Sequence, residues 1–194
     1  MIVLASKSQT RFELMQNAGL RIQAQAARID EREIEMAQSN KGFDQPKLTA
    51  KLAAEKALDV SRSHPQAYVV GADQTLSIND LYLHKPADIA ALRAQLDLLA
   101  GQTHTLCAAV TIAKDGEIVW QHQSSAQLTM HPFSPLERDK VIEMEGEKLL
   151  QSVGGYRLEG PSIRLFEKID GDYFTILGLP LLPLLSALRE LKAI

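Results

Sequence analysis

The chain has 194 residues, 45% of them hydrophobic and 23% charged, a balance that suits one globular domain over residues 1–194. Its 21 basic and 24 acidic residues leave a net charge of -3, which excludes nucleic-acid binding through a broad basic face but not a local cluster for a small anion. The single cysteine, Cys107, excludes a disulfide framework, and with no signal-peptide or membrane-span pattern the expected location is the cytoplasm.

Ile2-Val3-Leu4-Ala5 reads as a short buried strand running into Ser6-Lys7-Ser8-Gln9-Thr10-Arg11. A helix is expected at once, with Thr10 and Glu13 spaced as a capping box and Gly19 as its stop. Strand, hydroxyl-rich turn and helix amino terminus together make an anion site, to which Arg11 adds a cation. The same residues also serve as an ordinary helix cap, and no Gly-x-x-x-x-Gly-Lys loop is present. A second strand at Ile22 to Ala26 and an irregular polar loop to residue 46 follow. The loop's acidic Asp30-Glu31-Arg32-Glu33 is either a solvated face or a source of metal-binding carboxylates. Pro46 opens a helix to about Val60, on which Lys56 rises among Leu52, Ala53 and Val60, on the apolar side. A lysine there either snorkels to water or is held for function.

Tyr68 to Pro86 is the stretch around which the rest is organised. Val69-Val70 form a buried strand, Gly71-Ala72 permit close approach, and Asp73 follows where the strand surfaces, the place where α/β proteins put chemistry. Thr75 to Ile78, the turn Asn79-Asp80 and Leu81 to Leu83 make a hairpin that returns Lys85 toward Asp73, either as a surface ion pair or as a catalytic one. A helix from Ala87 to Leu99 ends at Ala100-Gly101. Thr103 to Ile112 is a long strand in which His104 is expected to leave the core. Lys114-Asp115-Gly116 turns into two polar strands, Glu117 to Gln123 and Ser125 to Met130. Ser134-Pro135-Leu136-Glu137 starts a helix that fades by Gly146, and Gln151 to Tyr156 is a glycine-rich segment able to approach a ligand. Strands at Ser162 to Ile169 and Asp172 to Leu177 and a closing helix from Leu181 to Lys192 complete the chain. The expected class is α/β, a mixed, twisted sheet covered by helices.

These residues resemble the Maf (septum formation) family of nucleoside triphosphate pyrophosphatases, whose α/β fold is similar to that of inosine triphosphatases, with a cleft between two lobes. The resemblance runs nearly end to end. It rests on Leu4-Ala5-Ser6-x-Ser8-x-x-Arg11-x-Glu13-Leu14, Asp30-Glu31, Glu55-Lys56-Ala57, Ala72-Asp73 with Lys85-Pro86 twelve residues on, Gly101-x-x-His104, Gly155-Tyr156 and Gly178-Leu179-Pro180. It implies a catalytic set of Asp73, Lys56, Lys85 and Glu31, with Ser6 and Arg11 on the phosphates. It also implies a divalent cation, Mg²⁺ or Mn²⁺, on Glu31 and Asp73. The partner molecule would be a nucleoside triphosphate, hydrolysed to monophosphate and pyrophosphate, and a homodimer is compatible with it. The alternative within the family name is a non-catalytic nucleotide-binding regulator of cell division. A serine hydrolase using Ser6 and His104 lacks the Gly-x-Ser-x-Gly elbow.

Three departures bear on the base. The family usually has Arg, Thr and Gln where this chain has Thr10, Gln74 and Glu159, and its branch acting on 7-methyl-GTP is similar to this chain in having Gln and Glu. Thr10 matches neither branch. Glu159, expected as a buried carboxylate, suits a purine edge that presents N–H donors better than thymine's carbonyl edge.

Overall fold

The computed structural model describes residues 1–40 and 42–194. Its order is β1 (Ile2–Ala5), α1 (Gln9–Asn17), β2 (Ile22–Ala24), α2 (Glu31–Ser39), α3 (Gln45–Ser61), β3 (Tyr68–Ile78), β4 (Leu81–Leu83), α4 (Ile89–Leu99), β5 (Thr103–Lys114), β6 (Glu117–Met130), α5 (Pro135–Glu145), β7 (Phe166–Asp170), α6 (Tyr173–Ile176) and α7 (Leu181–Glu190). Short 3-10 turns occupy Gly146–Gln151 and Pro161–Leu165.

The strands form one mixed sheet in the order β2-β1-β3-β5-β6-β7, with β4 paired to β3. β1 runs parallel to β2 and to β3, whereas β4 on β3 and β7 on β6 are antiparallel. This is the expected mixed α/β class, a twisted open sheet flanked by helices. The chain divides into two compact units. The first comprises residues 1–74, 107–124 and 172–194, the second residues 75–106 and 125–171.

In the first unit the apolar runs are continuous because both faces of the sheet are covered. Ile2, Leu4, Val70, Ala72, Val110 and Ile112 pack with Met15 of α1 and Leu181, Leu184 and Leu188 of α7. Val3, Ala5 and Val69 face the other way, toward Val60 of α3 and Ala67. Period-two alternation along β3 therefore puts Gly71 and Asp73 on the α3 side and Ala72 and Gln74 on the opposite side. Gly71 is the closest approach: a Cβ there would lie 2.3 Å from the Ala53 carbonyl oxygen and 2.6 Å from the Ala57 nitrogen.

In the second unit the β3–β4 hairpin turns through Asn79 and Asp80, both at positive φ (49° and 61°), as a two-residue turn requires. Ser134 and Glu137 form the expected capping box with Pro135 in the first turn of α5. His104 does not leave the core. It is 1% exposed, its Nε2 lies 2.7 Å from the Tyr156 hydroxyl, and Phe166 packs against both rings. Burial lowers its pKa to about 4, so it is neutral.

Other expectations are corrected. The cap of α1 is Ser8, whose side chain accepts from Arg11 N, not Thr10. Residues 31–39 are helical rather than irregular, because Asp30 caps Glu33 N at 3.0 Å and acidic residues sit in the first turn. The two polar strands after Gly116 are one continuous β6, and Asp172 to Leu177 is the capped short helix α6 rather than a strand, with Asp172 accepting from Thr175 N. The strand expected from Ser162 begins only at Phe166, since Pro161 opens a 3-10 turn.

Gly71→Ala is expected to lower stability by about 1 to 3 kcal/mol or more, because the intruding methyl meets backbone that cannot rotate away. Urea denaturation of the variant, read as a lowered midpoint at unchanged slope, checks this.

Candidate active site

The site in the first unit is built where β1 ends beside the middle of β3. Val3 stands beside Val69 and Ala5 beside Gly71 in parallel register, so Ser6 leaves the end of β1 next to the middle of β3, where Asp73 lies buried within the strand rather than where it surfaces, as the sequence suggests. Ser6 Oγ accepts from Ser8 N at 3.1 Å and from Arg11 Nη1 at 3.4 Å, which ties the turn to the first turn of α1. Arg11 is further fixed by backbone, Nε donating to the Gly178 carbonyl at 2.8 Å and Nη1 to the Ala72 carbonyl at 2.9 Å. Gly178 has φ +88°, and a Cβ there would come within 3.3 Å of Arg11 Nη2 and 3.4 Å of the Gln74 amide.

Asp73 is 6% exposed and Lys56 9%. The Lys56 ammonium donates to Asp73 Oδ1 and lies 2.9 Å from Oε1 of the solvent-facing Glu31, at the start of α2. Lys56 is thus not a snorkelling side chain. It stands on α3 one turn after Leu52 and Ala53, on the face that Gly71 lets close, and its charge is spent on two carboxylates. Burial raises the Asp73 pKa above the ordinary carboxylate value, while the charges of Lys56 and Arg11 pull it back. Burial likewise lowers the Arg11 pKa, against the pull of Asp73 and Glu31.

Gln74, on the opposite face of β3, donates Nε2 to the carbonyls of Thr175 at 3.0 Å and Ile176 at 2.9 Å. These two carbonyl acceptors fix the amide's orientation, with its nitrogen toward α6. Thr10 sits in the first turn of α1, half-buried.

The structure therefore brings together Ser6 with Arg11, and Glu31 with Lys56 and Asp73. Lys85 and Glu159 belong to the second unit. Lys85 is exposed after β4. Glu159 is not the buried carboxylate expected, since its side chain is 28% exposed and pairs with Arg157, whose Nη2 is 3.1 Å from Oε1. The sequence did not point to Thr175 and Gly178 as supports of Gln74 and Arg11. The Gly178-Leu179-Pro180 segment was the available signal.

Among the described residues no group of three or more His, Cys, Asp or Glu is arranged to hold a metal ion. Glu31 and Asp73, converging on one ammonium, offer two hard oxygen ligands, a set that fits a divalent cation completed by phosphate oxygens and water. No helix among the described residues is long and apolar enough to cross a membrane.

The family model described as Maf-like protein matches residues 1–191. A protein of Rhizobium johnstonii named 7-methyl-GTP pyrophosphatase is 50% identical over 193 residues, covering 100% of this chain and 97% of its own. A protein of the same name from Brucella abortus is 48% identical with the same coverage. One from Bradyrhizobium diazoefficiens, named nucleoside triphosphate pyrophosphatase, is 47% identical over 97% of this chain and 93% of its own. Among solved structures, the Staphylococcus aureus Ham1 protein aligns over 68% of this chain and 72% of its own, at 13% identity and a TM-score of 0.40, a likeness too loose to add to the fold described above.

Lys56→Met is expected to destabilise the protein at neutral pH, by a few kcal/mol, of the order of 3, because Asp73 then stays buried without its ammonium. The sign follows from linkage. Without Lys56 the folded Asp73 pKa rises further, so the folded state holds a proton that the unfolded state has released. The deficit opens as pH rises through the unfolded carboxylate value and closes at low pH, where both states are protonated. Thermal melts of Lys56→Met and wild type from pH 4 to 8 check this, and a deficit independent of pH refutes it.

Proposed function

The chain belongs to the family of Maf-like proteins, and from that membership together with the buried Lys56–Asp73 pair beside Arg11 we propose that it is a nucleoside triphosphate pyrophosphatase. Its reaction is hydrolysis of a nucleoside triphosphate to the monophosphate and pyrophosphate, with 7-methyl-GTP as the substrate we favour. The observation that carries this is the state of Asp73. It is a buried carboxyl held by the Lys56 ammonium, its pKa raised by burial above the ordinary carboxylate value, and so suited to take a proton from attacking water.

Each residue's part follows from its setting. Asp73 accepts the proton of the water that attacks the α-phosphorus. Lys56 orients that carboxylate and, with Arg11, offsets charge that builds on the phosphate oxygens. Ser6, already bonded to Arg11, positions a phosphate oxygen at the amino-terminal turn of α1, where the helix dipole favours negative charge. Glu31 and Asp73 supply the protein's share of the ligands of Mg²⁺ or Mn²⁺, which when bound supplies charge neutralisation of the phosphates. The parts assigned to Lys85, a further phosphate cation, and to Glu159, a base-selecting carboxylate, rest on the sequence resemblance. So do Thr10 and Gln74 as substrate residues, the Gln74 amide being in addition fixed in orientation by the two carbonyls of α6. A guanine edge with its N–H donors suits a carboxylate acceptor, and thymine's two carbonyls do not.

Three outcomes are expected. Purified protein releases pyrophosphate from nucleoside triphosphates, with kcat/KM for 7-methyl-GTP above that for dTTP and UTP. Monophosphate-only binding without turnover overturns the reading, and a preference for dTTP overturns its substrate. Asp73→Asn, assayed well below its own melting temperature, loses about 10² to 10⁴ of the rate while remaining folded. The acid limb of the wild-type pH profile for kcat/KM lies above the ordinary carboxylate range, because the group that must lose its proton has a raised pKa.

A further inference from the structure

The second unit contains a buried acid for which the proposed reaction has no use. Glu145 closes α5, and its side chain is only 2% exposed. Oε1 accepts from Ser162 N at 2.7 Å and from the Ser162 hydroxyl. Oε2 receives no hydrogen bond, and Arg157 Nη1 stands 3.6 Å from it. Room for this carboxylate comes from Gly160, where a Cβ would lie 2.6 Å from Oε2. Taking a carboxylate out of water is costly, and an apolar side chain would fill the same space without that cost. What the acid adds is a fixed point in a turn that otherwise has few.

Arg157 also reaches the other way, with Nε 3.2 Å and Nη2 3.1 Å from Glu159 Oε1. Buried acid, arginine and exposed acid thus form a chain, and Ser162 pins the far end of the same turn to the same buried acid. We propose that Glu145 is a positioning residue for base selection. Through Ser162 it holds the end of the 157–162 turn, and through Arg157 it fixes the carboxylate of Glu159. The inference rests on the reading of Glu159 as a base-selecting carboxylate. An unanchored Glu159 would sample several rotamers, and binding would then include the cost of ordering it for the favoured base alone.

Glu145→Gln tests this, since the amide keeps its shape and an oxygen for Ser162 but withdraws the charge facing Arg157. Arg157→Gln is the second variant, at a side chain that is 33% exposed. In both, the ratio of kcat/KM for 7-methyl-GTP over dTTP is expected to fall roughly tenfold through a raised KM for 7-methyl-GTP, with kcat nearly unchanged. If Glu145→Gln does not fold, Arg157→Gln alone decides. A wild-type ratio in a folded variant, or an equal loss for both nucleotides, overturns the proposal. Wild type that shows no preference between the two nucleotides overturns the reading of Glu159 itself, and wild type without turnover overturns the pyrophosphatase assignment, each taking this inference with it.

Discussion

The close approach of α3 to β3 at Gly71 is the constraint on which the rest of the first unit depends. Without a side chain there, helix backbone comes within van der Waals contact of the strand, and Lys56, one turn after Ala53, is carried to Asp73, two residues after Gly71 on the same strand face. A bulkier residue at 71 would move the helix and separate an ammonium and a carboxylate whose attraction falls steeply with the water that would enter between them. The small residues Ala53, Ala57 and Gly71 are therefore what sets the geometry of the charged pair. All three are buried, and none has a functional group.

The same strand serves two tasks because its side chains alternate. Asp73 points to α3 and is governed by charge, while Gln74 points the other way and is governed by the carbonyls of α6. α6 is itself held by Asp172, which accepts from both Thr175 N and Thr175 Oγ1, and by the Ser124–Thr175 hydroxyl pair at 2.7 Å. Gly178, just beyond, hands its carbonyl to Arg11. One short capped turn thus orients an arginine and an amide at once, and a fault there would show in both.

Much of this was legible in the sequence, for identifiable reasons. β1, the two hairpin turns, the cap of α5 and the closing helix are local patterns, set by apolar runs, paired turn residues and Ser-Pro-x-Glu. α2 is not legible from apolar periodicity because its residues are mostly polar and none is buried, although Asp30 three residues before Glu33 carries the cap signal. α6 reads as a strand in the sequence because Tyr173-Phe174-Thr175-Ile176 has strand composition, which Asp172 overrides by capping. His104 is buried because Tyr156, 52 residues later, satisfies one ring nitrogen in the core. The pairing of Lys56 with both Asp73 and Glu31 is of the same kind. The sequence names the residues, but only the packing of α2 and α3 shows that one ammonium is divided between two acids.

That division has an electrostatic consequence for any triphosphate. Lys56 and Arg11 are balanced by Glu31 and Asp73, so these four groups together are neutral, and the two cations are already engaged with protein oxygens. A triphosphate brings several negative charges into a setting where burial has raised the cost of every unpaired one. The four residues cannot neutralise it alone without breaking the contacts that hold Asp73 in place. The charge a triphosphate adds beyond these four groups has to be offset by something that binds with it. A divalent cation, were one bound, would find oxygen ligands in Glu31 and Asp73 and would supply that neutralisation. In the structure as it stands, the Lys56–Asp73–Glu31 cluster keeps two carboxylates beside one ammonium, and it is this shared cation that holds Asp73 in place.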